Sequence, residues 1–237
     1  MLLFLLLFGF KTIHLINAYG EIVVVGGVRR SALISLSNLN DDQMRHAKAG
    51  QWWENEGQRA LANNSVAYKG KPEMGTFMRE WVSLYESKSG ERGIFNRQAA
   101  QKQAAKNGRR DAEQDFGCNP CSEIILRPYQ FCNLSEVVVR SSDTQQTLTE
   151  KVRLATILGT FQSTLTDFKY LRKVWQKNTE EERLLGVSLT GIMDNAMMSG
   201  KSAHLGMNIG ATLNALKEQA ITTNAAMAEQ LGISQSA

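Results

Sequence analysis

The octapeptide Gly117-Cys118-Asn119-Pro120-Cys121-Ser122-Glu123-Ile124 brings an amide, a thiol and a carboxyl onto alternate positions of one short stretch. Successive side chains of an extended backbone point to opposite faces, so Asn119, Cys121 and Glu123 would share one face. There they would offer one small ligand a hydrogen-bonding amide, a sulfur nucleophile or radical, and a base. A third thiol, Cys132, follows within Pro128-Tyr129-Gln130-Phe131-Cys132-Asn133-Leu134.

Cys118-Asn119-Pro120-Cys121 also has the spacing of a redox disulfide or of half a metal site. A thioredoxin-like motif needs a strand before the pair and a helix after it, whereas Glu123-Ile124-Ile125-Leu126 reads as strand. Zinc would want a fourth ligand and a second close pair. The histidines, His14, His46 and His204, are scattered without ligand spacing, so no metal is expected. The CxxC alone is a weak signal, and a small thiol oxidoreductase is the more distant alternative.

The longer match, Asn119-Pro120-Cys121-Ser122-Glu123-Ile124 followed by Phe131-Cys132-Asn133-Leu134, resembles the active-site region of ribonucleotide reductases. It is most similar to the adenosylcobalamin-dependent (class II) kind, particularly the monomeric triphosphate-reducing branch. The resemblance implies a ten-stranded α/β barrel whose central finger loop carries the radical cysteine. It implies that Cys121 becomes a thiyl radical, generated with adenosylcobalamin, and removes the 3′-hydrogen of the substrate. Glu123 would take the 3′-hydroxyl proton, Asn119 would hold the sugar in register, and the 2′-hydroxyl would leave as water. Cys132 would be one of the two thiols that deliver reducing equivalents and finish as a disulfide. The implied partners are a ribonucleotide substrate, a nucleotide effector, and thioredoxin or a similar thiol reductant.

A second block, Gly26-Gly27-Val28-Arg29-Arg30-Ser31-Ala32, is similar to the reductase segment beside the loop that links effector to substrate base. Glycines let a backbone approach a ligand, and paired arginines take phosphate oxygens or stack on a base. Gly26, Gly27, Arg29 and Arg30 are therefore candidates for substrate or specificity-loop contacts. Family chains are several times longer, so the expectation is an internal fragment or truncated product whose 20–237 stretch is a partial catalytic barrel. No cysteine precedes Cys118 to pair with Cys132, and such a chain alone should not complete a turnover. An inert remnant, or one piece of a split enzyme, is the alternative from outside catalysis.

These motifs need elements to position them. Residues 21–25 form a β-branched run ending at the glycine pair, and residues 32–36 read as the next extended piece. Asp41 and Asp42 suit the start of a polar helix through Met44 and His46. Residues 72–87 read as a helix closed by Gly90, and residues 123–126 and 136–140 as strands joined through the Cys132 loop. One long amphipathic helix is predicted over 148–175. Thr179 and Glu182 have capping-box spacing, residues 186–193 read as strand, and a last helix over 211–231 stops at Gly232. Asn63-Asn64-Ser65-Val66 could cap a helix or fix a turn. Trp52, Trp53, Met78 and Trp81 are expected in packing. Strands alternating with helices favour an α/β fold.

The 237 residues, 43% hydrophobic and 21% charged, suit a globular chain able to bury a core. The net charge of +4 is mild and concentrates in residues 92–110. That run reads as a solvated helix face or loop, and no nucleic-acid partner is expected. Three cysteines, two crowded together, do not make a secreted disulfide framework, which points to a cytoplasmic setting. Residues 1–19 open with an apolar leader of uncertain origin. Lys11 and His14 interrupt it well short of the ~20 residues of a membrane span, so no membrane partner is expected.

Overall fold

The computed structural model describes residues 32–201 and 208–237, together with the backbone of strands β1 (Val24–Val25) and β2 (Val28–Arg29). Two compact units divide at Pro128 and Tyr129. Both are α/β with parallel sheets.

In the first unit β1 and β2 pair antiparallel, Val24 opposite Arg29. Strands β3 (Leu33–Ser37), β4 (Ala62–Tyr68) and β5 (Gly93–Asn96) form a parallel sheet with β4 at its centre. Leu33 lies opposite Ala62, whereas β5 joins β4 only from Ser65, opposite Gly93. Residues 63–66, expected to cap or turn, are thus strand. Parallel neighbours need crossovers, and short helices α1 (Asp42–Arg45) and α2 (Trp52–Asn55) lie on the first. Helix α3 (Met74–Ser87) makes the second, begun by the Glu73 carboxylate, which accepts from the Gly75 and Thr76 amides at 2.8 and 2.9 Å. It ends one turn of chain before Gly90, because Lys88 itself takes the left-handed conformation, φ 51°.

Helix α4 (Arg97–Ala104) follows β5 directly and buries Ala100 and Ala104 against Ala67, Phe95 and Phe116. Small side chains here let helix and sheet approach closely. The expected solvated helix face or loop over residues 92–110 holds for much of α4, but residues 93–96 are strand β5 and the run is buried at Arg92. Arg92 is 3% exposed and forks onto Glu80 of α3, Nε to Oε2 at 2.9 Å and Nη2 to Oε1 at 2.8 Å. Arg45 of α1 donates to the same carboxylate at 2.6 Å, and Arg92 also donates to Ser37 Oγ at 2.9 Å. One buried carboxylate therefore ties α1, α3, the end of β3 and the entry to β5. The tryptophans depart from expectation: Trp53 and Trp81 are 58% and 52% exposed, and Met78 is exposed beside Trp81 on the outer stripe of α3.

The second unit is built on the parallel pair β8 (Asn133–Val138) and β9 (Leu185–Thr190), Asn133 opposite Leu185. Between them run α5 (Gln145–Gln162) and α6 (Lys173–Glu182), and α7 (Ile209–Leu231) packs on α5. The core is Val137, Val139, Leu148, Val152, Met198 and Leu216.

The single helix predicted over 148–175 is two helices, α5 and α6. Hydroxyls compete for the backbone at the break: Ser163 Oγ donates to the Thr160 carbonyl at 2.6 Å and Thr164 Oγ1 to that of Phe161 at 2.7 Å. The apolar stripe of α5 is buried only in part: Leu148 and Val152 enter the core. Thr156 and Thr160 are fully buried, while Leu154, Leu158 and Phe161 are exposed. Thr179 and Glu182 do not begin a helix; they lie in the last turns of α6, where Thr179 Oγ1 accepts from the Phe131 amide at 3.3 Å and Glu182 from Gln130 Nε2 at 2.6 Å.

Asp143, just before α5, accepts from Lys151 Nζ at 2.5 Å, the Arg140 amide at 2.7 Å and Thr147 Oγ1 at 2.8 Å. These donors, Lys151 first, hold its carboxyl at about 2, below the ordinary 3.8. A depressed folded value stabilises the fold above the unfolded value, and that contribution is lost as pH falls through the folded one. The thermal midpoint of Asp143→Asn should therefore lose the acid-side slope that the parent shows between pH 3.8 and about 2.

Candidate active site

Strands β6 (Gly117–Cys118) and β7 (Ile125–Leu126) pair antiparallel, Cys118 opposite Ile125, and carry residues 119–124 as their connecting loop. Only Ile125 and Leu126 of the predicted 123–126 strand are strand. The loop turns at once: the Ser122 amide donates to the Asn119 carbonyl at 2.9 Å, with Pro120 at the corner. Proline's fixed φ suits that corner. Ser122 completes it in the left-handed region at φ 68°.

This geometry changes the reason why the site residues meet. Asn119, Cys121 and Glu123 do not share one face of an extended strand. The turn folds the stretch back, so that Asn119 Nδ2 donates to Glu123 Oε1 at 2.5 Å, while Asn119 Oδ1 accepts from the Ile124 amide at 2.9 Å. One amide side chain thus closes the loop and orients the carboxylate. Cys121 sits between them at the exposed tip.

Cys118 behaves differently. Its thiol is half-buried and lies 3.5 Å from Ser122 Oγ. Burial, with the Glu123 charge adding to it, pushes the thiol above its ordinary pKa despite the Ser122 contact. Thiolate is the reactive form of cysteine and a reagent must reach it, so the half-buried Cys118 is expected to react more slowly than the exposed Cys121. With iodoacetamide at neutral pH, peptide mapping should find Cys121 alkylated several-fold faster than Cys118; equal rates would contradict this arrangement. None of the three cysteines is in a disulfide. A turn and a strand, not a helix, follow Cys121, so the thioredoxin-type arrangement is not formed.

Cys132 lies in the second unit, half-buried, immediately before β8. The Tyr129–Phe131 segment ahead of it is held by aromatic contacts, Phe131 to Trp175 at 4.8 Å and Tyr129 to Trp175 at 5.6 Å between centroids. The predicted strand over 136–140 begins earlier, at Asn133, so Cys132 sits at a strand entrance. Of the glycine-arginine block, Gly26, Gly27 and Arg30 lie outside the described residues, as do His14 and His204, and Arg29 is described as backbone in β2. Among the described residues no three His, Cys, Asp or Glu side chains could hold a metal ion, and no helix is long and apolar enough to cross a membrane.

One contributor escaped sequence reasoning. Asn63 of β4 donates its Nδ2 to the Pro120 carbonyl at 2.6 Å. The Asn-rich string around it is visible, but nothing in the sequence announces a contact with a residue 57 positions on.

The chain is similar to curated enzymes named adenosylcobalamin-dependent ribonucleoside-triphosphate reductase. It is 33% identical to that of Lacticaseibacillus paracasei over 186 residues, covering 75% of this chain and 23% of the relative. Against the enzyme of Lactobacillus acidophilus it is 33% identical over 192 residues with the same coverage, and against that of Lactobacillus leichmannii 31% over 192 residues, covering 75% and 24%. The chain therefore spans about a quarter of the length of these relatives. A stretch covering three-quarters of 237 residues cannot omit the region from Cys118 to Cys132. No family model and no solved structure matches the chain.

Proposed function

We propose that this chain, which matches a fragment of the adenosylcobalamin-dependent ribonucleoside-triphosphate reductases, carries the loop that meets the substrate ribose in such an enzyme. The complete protein reduces ribonucleotides, triphosphates in this reading, to 2′-deoxyribonucleotides. The parallel strands of both units are of the kind from which the family's ten-stranded barrel is built, and residues 119–124 are its finger loop.

The observation that carries this reading is the 2.5 Å contact between Asn119 and Glu123 beside an exposed cysteine. An amide donor and a carboxylate acceptor already in register suit a vicinal diol, which can accept from one and donate to the other. Glu123 takes the 3′-hydroxyl proton as general base. Asn119 holds the hydroxyls while that proton moves. Cys121, as a thiyl radical, takes the 3′-hydrogen atom and becomes a thiol; the 2′-hydroxyl leaves as water with a proton from the reducing thiol pair that includes Cys132, and Cys121 returns its hydrogen atom to C3′ once that pair has reduced the sugar and become a disulfide. Adenosylcobalamin, when bound, supplies the one-electron chemistry that makes the radical. The exposed tip position of Cys121 fits exchange of a hydrogen atom with a group outside the loop. Cys132 supplies one of the reducing thiols, a second thiol and an external dithiol completing the redox cycle. The glycine-arginine block at 26–30 contacts substrate or the specificity loop.

The test is to read the gene through both flanks of this frame and assay the complete product. Deoxyribonucleotide formation from a ribonucleoside triphosphate, dependent on adenosylcobalamin and a dithiol, is the expected result. A complete product that binds neither nucleotide nor cofactor would overturn the reading.

A further inference from the structure

The loop that presents Cys121 is fastened from outside itself, and the fastening is built in two layers. Asn63 Nδ2 reaches the Pro120 carbonyl at 2.6 Å. That carbonyl belongs to the peptide plane shared with the Cys121 nitrogen, and a planar peptide transmits the restraint to the next residue. Proline's ring limits rotation on the other side. Fixing the Pro120 carbonyl therefore sets the direction in which Cys121 leaves the turn.

The second layer holds Asn63. Residues 62–64 of β4 lie ahead of the point where β5 begins to pair, at Ser65 opposite Gly93. Their backbone groups on that side need other partners. Lys48, 7% exposed, donates its ammonium to the Ala62 carbonyl, and the Asn64 amide donates to Glu91 Oε2 at 2.6 Å. Lys48 and Glu91 pair with each other at 2.9 Å. An ion pair thus grips the strand on both sides of Asn63, its lysine buried and its glutamate half-buried.

We propose that Asn63 is a positioning residue for the Cys121 loop, with the Lys48–Glu91 pair holding its strand in register. Its consequence for turnover rests on the reductase reading above; its consequence for the loop does not.

The test uses amide exchange of Ser122, whose N–H bonds to the Asn119 carbonyl across the turn, measured by NMR on the whole chain. Asn63→Ala should raise the ratio of its exchange rate to the parent's about fivefold, the size of one lost hydrogen bond, with a thermal midpoint lowered by no more than about 2–4 °C. Asn63→Asp keeps the shape and exchanges the donor for an acceptor. Its ratio should rise similarly at neutral pH and return toward one in acid, where the protonated carboxyl can donate to the Pro120 carbonyl again. A role in packing alone predicts no such pH dependence. Ratios near one for both variants at neutral pH would overturn the proposal. In the complete reductase, Asn63→Ala should lower kcat and leave KM unchanged; raised exchange with unaltered kcat would overturn the link to turnover. Absence of turnover in the unsubstituted enzyme would count against the reductase reading alone, because the exchange ratio decides the role of Asn63 without it.

Discussion

Replacing Cys121 with serine should bring deoxyribonucleotide formation by the complete enzyme down to background while the chain keeps its circular dichroism and thermal midpoint. The substitution is nearly isosteric at an exposed turn position, so packing is not disturbed. What changes is the bond to hydrogen: an alcohol O–H is far harder to cleave homolytically than a thiol S–H, so serine cannot act as the hydrogen-atom carrier. Glu123→Gln gives the graded companion. It keeps the contact with Asn119 available through its amide oxygen and removes the base, so kcat should fall by about 10²–10⁴. A Cys121→Ser enzyme that still turns over would remove Cys121 from the radical role. A Glu123→Gln enzyme at full rate would assign the proton to another group.

The largest expected effect on stability is at Glu80, far in character from the reacting loop. Both its oxygens are engaged by Arg92 and one also by Arg45. Burial alone would push its carboxyl up; the hydrogen bonds from Arg92 and Arg45 and their charges outweigh this and leave it below its ordinary value. Glu80→Gln leaves a guanidinium buried at 3% exposure without its counter-charge, which costs about 3–5 kcal/mol. Against a typical stability of ~5–15 kcal/mol, urea unfolding should show a much lower midpoint. The pH profile supplies a second readout. Because the folded value is depressed, the parent's stability is whole above the ordinary carboxylate range and falls as pH drops through the folded value; Glu80→Gln should lack that component. Unchanged midpoints would mean that water replaces the carboxylate without penalty.

The residue types of the loop read directly from the sequence: an amide, a thiol and a carboxyl fall within five positions. How they converge was not legible. Period-two alternation predicts a shared strand face, whereas Pro120 and the left-handed Ser122 fold the stretch into a turn, and the amide meets the carboxylate across it. Helix ends were misjudged where side chains compete with the backbone. Ser163 and Thr164 end α5 inside a pattern whose apolar spacing continues. Thr179 and Glu182 have the spacing of a cap and serve instead as anchors for the segment before Cys132. Arg92 reads as one of a solvated run because only the fold brings α3 and β5 against the end of β3. The alternation of strand and helix, by contrast, reads directly from β-branched runs and turn residues, and the parallel pairing of both sheets follows from it.

The exposed apolar side chains of α5 have a practical meaning for anyone handling the protein. Threonine hydroxyls that point inward satisfy themselves on their own helix, Thr156 on the Val152 carbonyl and Thr160 on that of Thr156, so the interior accepts them at little cost. Leu154, Leu158 and Phe161 point the other way, and Leu158 is 65% exposed. Water meets a greasy ridge on the outside of a well-formed fold. Self-association through this ridge is the expected limit on concentration, and a mild detergent should lower the light scattering of a concentrated preparation.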